Sequence, residues 1–521
     1  MAGGPALAPT PLRLVARPLT PRLPEDMIAY AEPADAAEEP DAGSAYVKPE
    51  ATVWLILAAC VVGALLTPNP LLTAGTVLVV PVLVVLLWRR GEVPILLFAA
   101  GYQWLQVTAK VFHANLVGAP VREISLSPTV ETAIWTGLVA VVTLALGMRT
   151  ALRGAVPHRA SEALSEALRI PFSRAATFYL VCAVAGALAS GVAYVSPGFT
   201  QLAMAISGVK WIGFFVFGFV VVTQRRGFLL LAAAIVFEFV QGIGFFSDFK
   251  TVFFVMALVA LTARHRLSGR TVGFGLAGLA GLLVIGSAWT AVKSDYRNFL
   301  NQGSGQQVTV VSEDEQFDMF VQLVGDLTWE DVTFAFYPLL ARVAYVDYLA
   351  AAMDYVPAVV PHERGQLWLE AVQHTLVPRL VYPDKPVLAS DSEHSMYYTG
   401  LNLASDGTSI SLGYVTDSYI DFGPFWMFVP VFLAGLLWGG MYRYFLTRGT
   451  SALLAFGFAM AALLAAYKFE IAAVKLIAGV TVKFLALAVL MRFVEPWMRE
   501  WLHLDEAEHE EGVGPAYAPA A

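Results

Sequence analysis

Long apolar runs separated by short polar breaks make up most of this chain. A helix needs about 20 mostly apolar residues to cross a bilayer. Runs near that length fall at 51–67, 71–88, 93–113, 130–147, 175–195, 199–222, 227–246, 249–263 and 272–291. Residues 292–424 interrupt the pattern, and three more runs follow at 425–446, 451–467 and 471–492. The eighth and eleventh runs are short. The pattern predicts an all-α polytopic membrane protein of about twelve transmembrane helices, nine before the interruption and three after it.

The interruption is too long for an ordinary loop and too apolar for a disordered one. The stripe Leu339, Val343, Val346 and Ala350 predicts a helix within 329–356. A second helix is expected from about Gly365 to Leu376. Pro357, Pro361, Pro378, Pro383 and Pro386 then break the chain into turns, and Gly400 to Gly413 reads as a loop rich in Ser, Asp and Gly. Residues 292–424 are therefore expected to form one large, mainly helical domain between spans nine and ten. Residues 1–50 are rich in Pro, Ala and acids without an apolar run, which predicts a disordered tail. Residues 495–521 predict a second, acidic tail. The first apolar run lacks a cleavage pattern and is expected to stay as an anchor.

Charge sharpens this division. Hydrophobic residues make up 57% of the chain and charged residues 14%, against roughly 25% in soluble domains. Of the 74 charged residues, 44 lie in 1–50, 292–424 and 495–521. Among the short loops, one alternating set is rich in arginine: Arg89 and Arg90, Arg149 to Arg174, Arg225 and Arg226, Arg264 to Arg270, Arg443 and Arg448. The other set holds only Arg122, Lys250 and Lys468. Positive residues stay inside, so both tails are expected in the cytoplasm and residues 292–424 outside. The net charge of −8 comes largely from the tails and the long block. With no basic aromatic patch either, nucleic-acid binding is excluded. Cys60 and Cys182 both sit in apolar runs, which argues against a disulfide scaffold. The nine-plus-three layout shows no internal repeat, whereas a transporter of two six-span halves would break after its sixth span. The asymmetry favours an enzyme acting at the outer membrane face.

Charged side chains at mid-bilayer cost about 2.5–3.5 kcal/mol on insertion scales, so they face protein or water. Gln103, Gln106, Lys110 and His113 share one stripe of the third run. Lys210 and Glu238 lie in the sixth and seventh, and Lys468, Glu470, Lys475 and Lys483 in the last pair. Two readings stand. Gln103, Lys110, His113, Lys210, Glu238 and Lys475 line a polar cavity opening outward, or they pair with one another, as Lys475 could with Glu238.

Residues 292–424 hold 18 acids and only 6 bases: Lys293, Arg297, Arg342, Arg364, Arg379 and Lys385. Lys293 and Arg297 lie one helical turn apart where the ninth run ends, and Arg379 and Lys385 flank a Pro-rich turn. Such cations suit an anionic headgroup, above all a diphosphate, because the arginine fork matches phosphate oxygens and stays charged. Salt bridges to nearby carboxylates are the alternative.

The stretch Val377-Pro378-Arg379-Leu380-Val381-Tyr382-Pro383-Asp384-Lys385-Pro386 resembles a run of the Wzy-type O-antigen (oligosaccharide repeat unit) polymerases, late in their large extracytoplasmic loop. Gly413-Tyr414 through Asp417, Tyr419 and Phe422-Gly423 resembles the segment that leads those proteins back into the membrane. The Lys293 to Arg297 cluster looks like theirs as well. The resemblance covers roughly 290–445. It implies a GT-C-like helical bundle in a bacterial cytoplasmic membrane and transfer of a growing glycan from its polyprenyl diphosphate to the next lipid-linked repeat unit. It further implies glycan donor and acceptor as partners, membrane lipids, a chain-length regulator protein, and no metal or other cofactor. The first outer loop, Thr67-Pro68-Asn69-Pro70, carries no acid, and no His-Glu-x-x-His or Asp-x-Asp occurs in the block. A hard-oxygen metal site needs several convergent carboxylates.

Glycosyl transfer needs a stabilised diphosphate leaving group and an acceptor hydroxyl that loses its proton. The first role falls to Arg297, Arg379 and Lys385, with Lys293 beside them and Arg342 in reserve. The second falls to His394, Glu393, His374 or Asp417. Tyr382, Tyr397, Tyr398, Tyr414 and Tyr419 offer faces for sugar stacking, or else belong to an interfacial aromatic belt. A ligase passing a finished chain to another acceptor, or a flippase for lipid-linked sugars, are the competing activities.

Overall fold

The computed structural model describes residues 51–89, 91–155, 158–195, 199–242, 250–263, 269–304, 309–377, 382, 388, 390–401 and 410–504. Both expected tails, apart from 495–504, the turn with Arg379 and Lys385, and most of the 400–413 loop lie outside these residues.

Among the described residues the chain is helical and holds no β-strand. The first helices are α1 (Ala51–Ala64), α2 (Pro70–Leu87), α3 (Ile95–Leu116), α4 (Val130–Ala151), α5 (Ala160–Arg169) and α6 (Phe172–Val195). Then come α7 (Thr200–Ser207), α8 (Val209–Gln224), α9 (Phe228–Gln241), α10 (Lys250–Ala263) and α11 (Gly269–Leu300). The 292–424 block contributes α12 (Glu313–Gly325), α13 (Trp329–Val343), α14 (Val346–Tyr355), α15 (Gln366–Leu376), α16 (Asp391–Thr399) and α17 (Tyr414–Trp426). The chain ends with α18 (Phe428–Arg448), α19 (Ala452–Leu463) and α20 (Ala473–Trp501).

Six helices among the described residues are long and apolar enough to cross a membrane: Pro70–Leu87, Val130–Ala151, Phe172–Ala193, Thr200–Gln224, Phe428–Arg448 and Ala473–Trp501. Phe228–Gln241, Lys250–Ala263 and Ala452–Tyr467 are apolar but shorter. The chain is therefore a membrane-embedded helical protein. Its apolar pattern also reports depth. Every residue of α19 is buried, and α8 is buried nearly throughout, so these all-apolar helices form the centre. On α2, α6 and α9, large apolar side chains such as Leu71, Leu188 and Leu229 point away from the protein instead.

The tightest pairing joins α4 to α18. A Cβ on Gly435 would fall on the Leu144 carbonyl, one on Gly147 on the Phe432 carbonyl, and one on Gly439 within 2.6 Å of the Met148 carbonyl. Small residues four apart let two backbones touch, which is how helices pack where lipid supplies no hydrophobic drive. At the opposite end of these helices from the 292–424 block, two carboxylates clasp the start of α19. Glu166 accepts from Ala452 N and Leu453 N at 3.0 and 2.9 Å, and Glu495 from Thr450 N and Ser451 N at 2.7 and 3.1 Å. The first N–H groups of a helix have no partner within it, so such acceptors set where it begins.

Where one helix was expected within 329–356, the structure has two. Ala344 leaves helical geometry with ψ 68°, and α14 starts in a new direction at Val346. The turn aims Asp347 at α3, a tertiary contact that local periodicity cannot show. The second expected helix is present as α15, entered through Gly365 in the left-handed region at φ 96°. Asp421 of α17 caps it, accepting from Leu367 N and Trp368 N at 3.1 and 2.9 Å.

Candidate functional site

The polar stripe of α3 faces the rest of the protein rather than an open cavity. Gln103 donates to the Ala466 carbonyl at 2.8 Å and accepts from the Tyr414 hydroxyl at 2.8 Å. Gln106 donates to Glu470 at 2.6 Å and accepts from Phe469 N at 3.0 Å. Lys110 pairs with Asp347 at 2.7 Å, both side chains buried, and Ser125 donates to the other oxygen of Asp347 at 2.7 Å. His113 packs its ring 5.7 Å from that of Tyr337 on α13. Three turns of one helix thus fix the turn before α20 and the start of α14. Lys210 pairs with Glu238 at 2.9 Å, and the Tyr179 hydroxyl donates to the same carboxylate at 2.9 Å. Lys475 therefore pairs not with Glu238 but with Asp391, at 2.7 Å.

Two of the four proton-transfer candidates meet. Gly413, at φ 91°, lies so close to Phe469 that a Cβ would fall on its carbonyl oxygen, and α17 begins one residue later. This start places Asp417, 2% exposed, between α16 and the N-terminus of α20. Its Oδ2 accepts from Ala473 N at 2.7 Å, and its Oδ1 lies 3.0 Å from His394 Nε2. A carboxylate only accepts, so Nε2 carries the proton and Nδ1 is left as the basic nitrogen. Nδ1 makes no hydrogen bond among the described residues. Burial disfavours the charged imidazole. The hydrogen bond and charge of Asp417, with Asp391 and Glu370 behind, outweigh it and hold the His394 pKa above the ordinary histidine value.

The other two candidates are placed differently. Glu393 is exposed and closes a capping box with Ser390 at the start of α16. His374 lies on α15 with Nε2 3.4 Å from Gln201 of α7. The tyrosines divide in the same way. Tyr382 and Tyr397 keep open ring surface. Tyr398 is buried with its ring 4.9 Å from that of His394, and its hydroxyl donates to Glu363 at 2.9 Å. Tyr414 is wholly buried, and Tyr419 is buried with its hydroxyl on the Val356 carbonyl at 3.0 Å.

Three of the expected cations converge. Lys293 and Arg297, on the last turns of α11, lie within electrostatic reach of each other and of Arg342 on α13. Lys293 lies just past the apolar 272–291 run. Burial, then the charges of Arg342 and Arg297, lowers its pKa to about 7. Burial and Arg342 lower that of Arg297 to about 10. Among the described residues, neither Lys293 nor Arg342 has a carboxylate at ion-pair distance. Arg379 and Lys385 lie outside the described residues.

Tyr345 links the two clusters. Burial raises its phenol pKa, Glu470 and Asp391 raise it further, and Arg342 opposes them. One half-buried side chain therefore feels Arg342 of the cation cluster and Asp391, the partner of Lys475. Glu470 was noted among the polar residues of the last two runs, whereas Asp347, Asp391 and Tyr345 were given no role from sequence. The available signal was Asp347 itself, an acid set within the apolar stripe from Leu339 to Ala350. Among the described residues no group of three or more His, Cys, Asp or Glu could hold a metal ion.

The fold and the site define a membrane-embedded helical protein with a polar, two-sided charged site at one end of its bundle. The chain belongs to the family of the domain of unknown function DUF8712, whose match covers residues 146–494. That span includes the cation cluster, His394, Asp417 and the first turns of α20. Neither a curated protein nor a solved structure matches the chain.

Proposed function

We propose that the protein is a membrane glycosyltransferase that polymerises polyprenyl-diphosphate-linked oligosaccharide repeat units at the outer face of the membrane. The observation that carries this reading is the pairing of two clusters: three converging cations around Lys293, and the His394–Asp417 pair, with Tyr345 in reach of both sides. Lys293, Arg297 and Arg342 grip the diphosphate of the donor and stabilise the charge that develops as it leaves. Arg379 and Lys385, on the Pro-rich turn, complete the grip. His394 Nδ1 takes the proton of the acceptor hydroxyl as that oxygen bonds to the anomeric carbon. Asp417 fixes the tautomer and steadies the imidazolium, as the carboxylate of a triad does. Tyr382 and Tyr397 stack on the sugars.

In this reading the chain crosses the membrane twelve times, through the six long apolar helices, the three shorter ones, α1, α3 and α11. Residues 292–424 lie outside, and both tails and the arginine-rich loops lie in the cytoplasm.

Deleting the gene and resolving surface glycans on a gel tests the activity. Loss of a polymerase leaves a single repeat unit on the final acceptor. Long chains retained on the lipid carrier would identify a ligase instead. Units trapped inside would identify a flippase, and an unchanged ladder would sink the reading.

A further inference from the structure

Helices α12 and α13, joined by a short turn at 326–328, both expose large apolar side chains. On α12 the residues separate into three faces. Gln316, Met319, Phe320 and Leu323 turn inward, and the Phe320 ring lies 6.4 and 6.0 Å from those of Trp289 and Tyr296 on α11. Phe317, Val321 and Val324, spaced by four and three, form an exposed apolar stripe, with Phe317 54% exposed. Asp314, Asp318 and Gln322, spaced by four, form an exposed polar stripe on the remaining flank. On α13, Trp329 and Phe334 are open as well, Phe334 to 77%.

A helix in water has no reason to keep two chemically opposite exposed stripes. A helix lying at a membrane surface does, since one flank meets lipid and the other meets water. The inner face fixes the level. Leu339 of α13 packs 3.1 Å from the position a Cβ would take on Gly286, and Phe320 meets Trp289. Gly286 and Trp289 both fall in the apolar 272–291 run. Both helices therefore pack on turns of α11 that lie within this apolar run. The capping boxes Ser312–Glu315 and Thr328–Asp331 hold Glu315 and Asp331 at the starts of the two helices.

We propose that the α12–α13 segment rests in the interfacial layer of the bilayer, with Phe317, Val321, Val324 and Phe334 inserted among the lipid chains and Asp314, Asp318 and Gln322 in water. The proposal depends on the membrane placement of α11 and not on the glycosyl-transfer reading. Its consequence is that α13, which carries Arg342, is held at the lipid surface.

Spin labels test this on the full-length protein in phosphatidylcholine vesicles. Single cysteines replace residues 317, 321, 324, 318 and 322 in a Cys60→Ala, Cys182→Ala background, with folding checked by gel filtration and helix content. Labels at 317, 321 and 324 should collide with oxygen and be shielded from a water-soluble nickel complex, and labels at 318 and 322 should show the reverse. Nickel access at 317, 321 and 324 would place the segment in water and overturn the proposal. Exclusion of both reagents there would mean that protein, such as a second copy, covers the stripe, and would overturn it too. If the cysteine-free background does not fold, a lipid-soluble photoactivated carbene reagent applied to the wild-type protein reads the same surface. Labelling of Phe317, Val321 and Val324 supports the proposal, and labelling confined to other segments refutes it.

Discussion

Replacing Asp417 by Asn removes one charge and almost no volume, so its consequences can be worked from the contacts. Ala473 N–H, 2.7 Å from Oδ2, needs an acceptor and keeps the amide oxygen on its side. The amide nitrogen then faces His394 Nε2, 3.0 Å from Oδ1 in the wild type. An NH2 group donates, so Nε2 must accept and the imidazole proton moves to Nδ1. The nitrogen assigned to take the acceptor's proton is now blocked. Loss of general-base catalysis costs about 10²–10⁴-fold in rate. The charge acts separately. In the wild type Asp417 keeps the His394 pKa above its usual value against burial. Without that charge the pKa falls, with burial opposed only by Asp391 and Glu370, and losing a carboxylate neighbour is worth about 1–3 pH units. A base works when deprotonated, so residual activity in Asp417→Asn should reach its plateau at lower pH than in the wild type. The assay is initial-rate glycan transfer between lipid-diphosphate oligosaccharides in proteoliposomes across the pH range. A variant that keeps the wild-type rate, or that loses rate while its pH limb stays in place, would refute the tautomer and charge argument.

Lys293 gives a second pH dependence with its own sign. Its pKa is lowered to about 7, so it is largely neutral in alkaline solution and charged in acid. Binding of a polyprenyl diphospho-sugar, a diester that does not titrate near neutrality, should weaken as pH rises through about 7, and Lys293→Met should flatten that slope. The same depression means the unfolded chain holds the proton more tightly between that pKa and 10.5, so this lysine's contribution to stability improves as pH rises across the interval. Thermal unfolding of wild type and Lys293→Met against pH checks the sign. Gly435→Ala and Gly440→Ala should act in opposite directions. A Cβ on Gly435 meets the Leu144 carbonyl and should cost about 1–3 kcal/mol, while Gly440 has nothing within 4 Å and should gain up to about 1 kcal/mol of helix propensity. Equal melting temperatures in detergent would refute the close-packing account of α4 and α18. Glu495→Ala leaves Thr450 N and Ser451 N without their acceptor and should cost about 1–3 kcal/mol, measured the same way.

Each apolar run read from the sequence contains a helix, because burial in lipid or in the bundle requires backbone groups to be satisfied within the segment. Six of them can be recognised by length and composition together. What the sequence left open was what the polar residues in those runs face. The stripe Gln103, Gln106, Lys110 and His113 was legible as a stripe, since periodicity is local. Its partners were not, because Asp347, Ala466 and Glu470 are more than two hundred residues away and nothing in local spacing encodes them. The break at Ala344 escaped for a related reason. No Gly or Pro marks it, and the apolar period runs through it unbroken.

The residues of the site are held in different ways, and this decides which of them a mutation can move. Asp417 is positioned by backbone: by Gly413, which only a glycine can occupy beside Phe469, and by the N–H of Ala473 at the start of α20. The helix start gives the carboxylate a hydrogen bond and a favourable dipole at once. Among the described residues Lys293 and Arg342 have no carboxylate at ion-pair distance. Lys293 shares α11 with Arg297, and Arg342 faces both from α13, so their charges repel. Like charges held together are unfavourable unless an anion joins them. The packing of α13 on α11, through Leu339 at Gly286, and on α3, through Tyr337 at His113, must therefore supply what the electrostatics oppose. Loosening that packing should spread the cations and weaken diphosphate binding while leaving His394 and Asp417 in place. Leu339→Ala is the variant that separates the two halves. It should reduce affinity for the lipid diphosphate without moving the pH limb set by His394, and a shift of that limb would show that the halves are not independent.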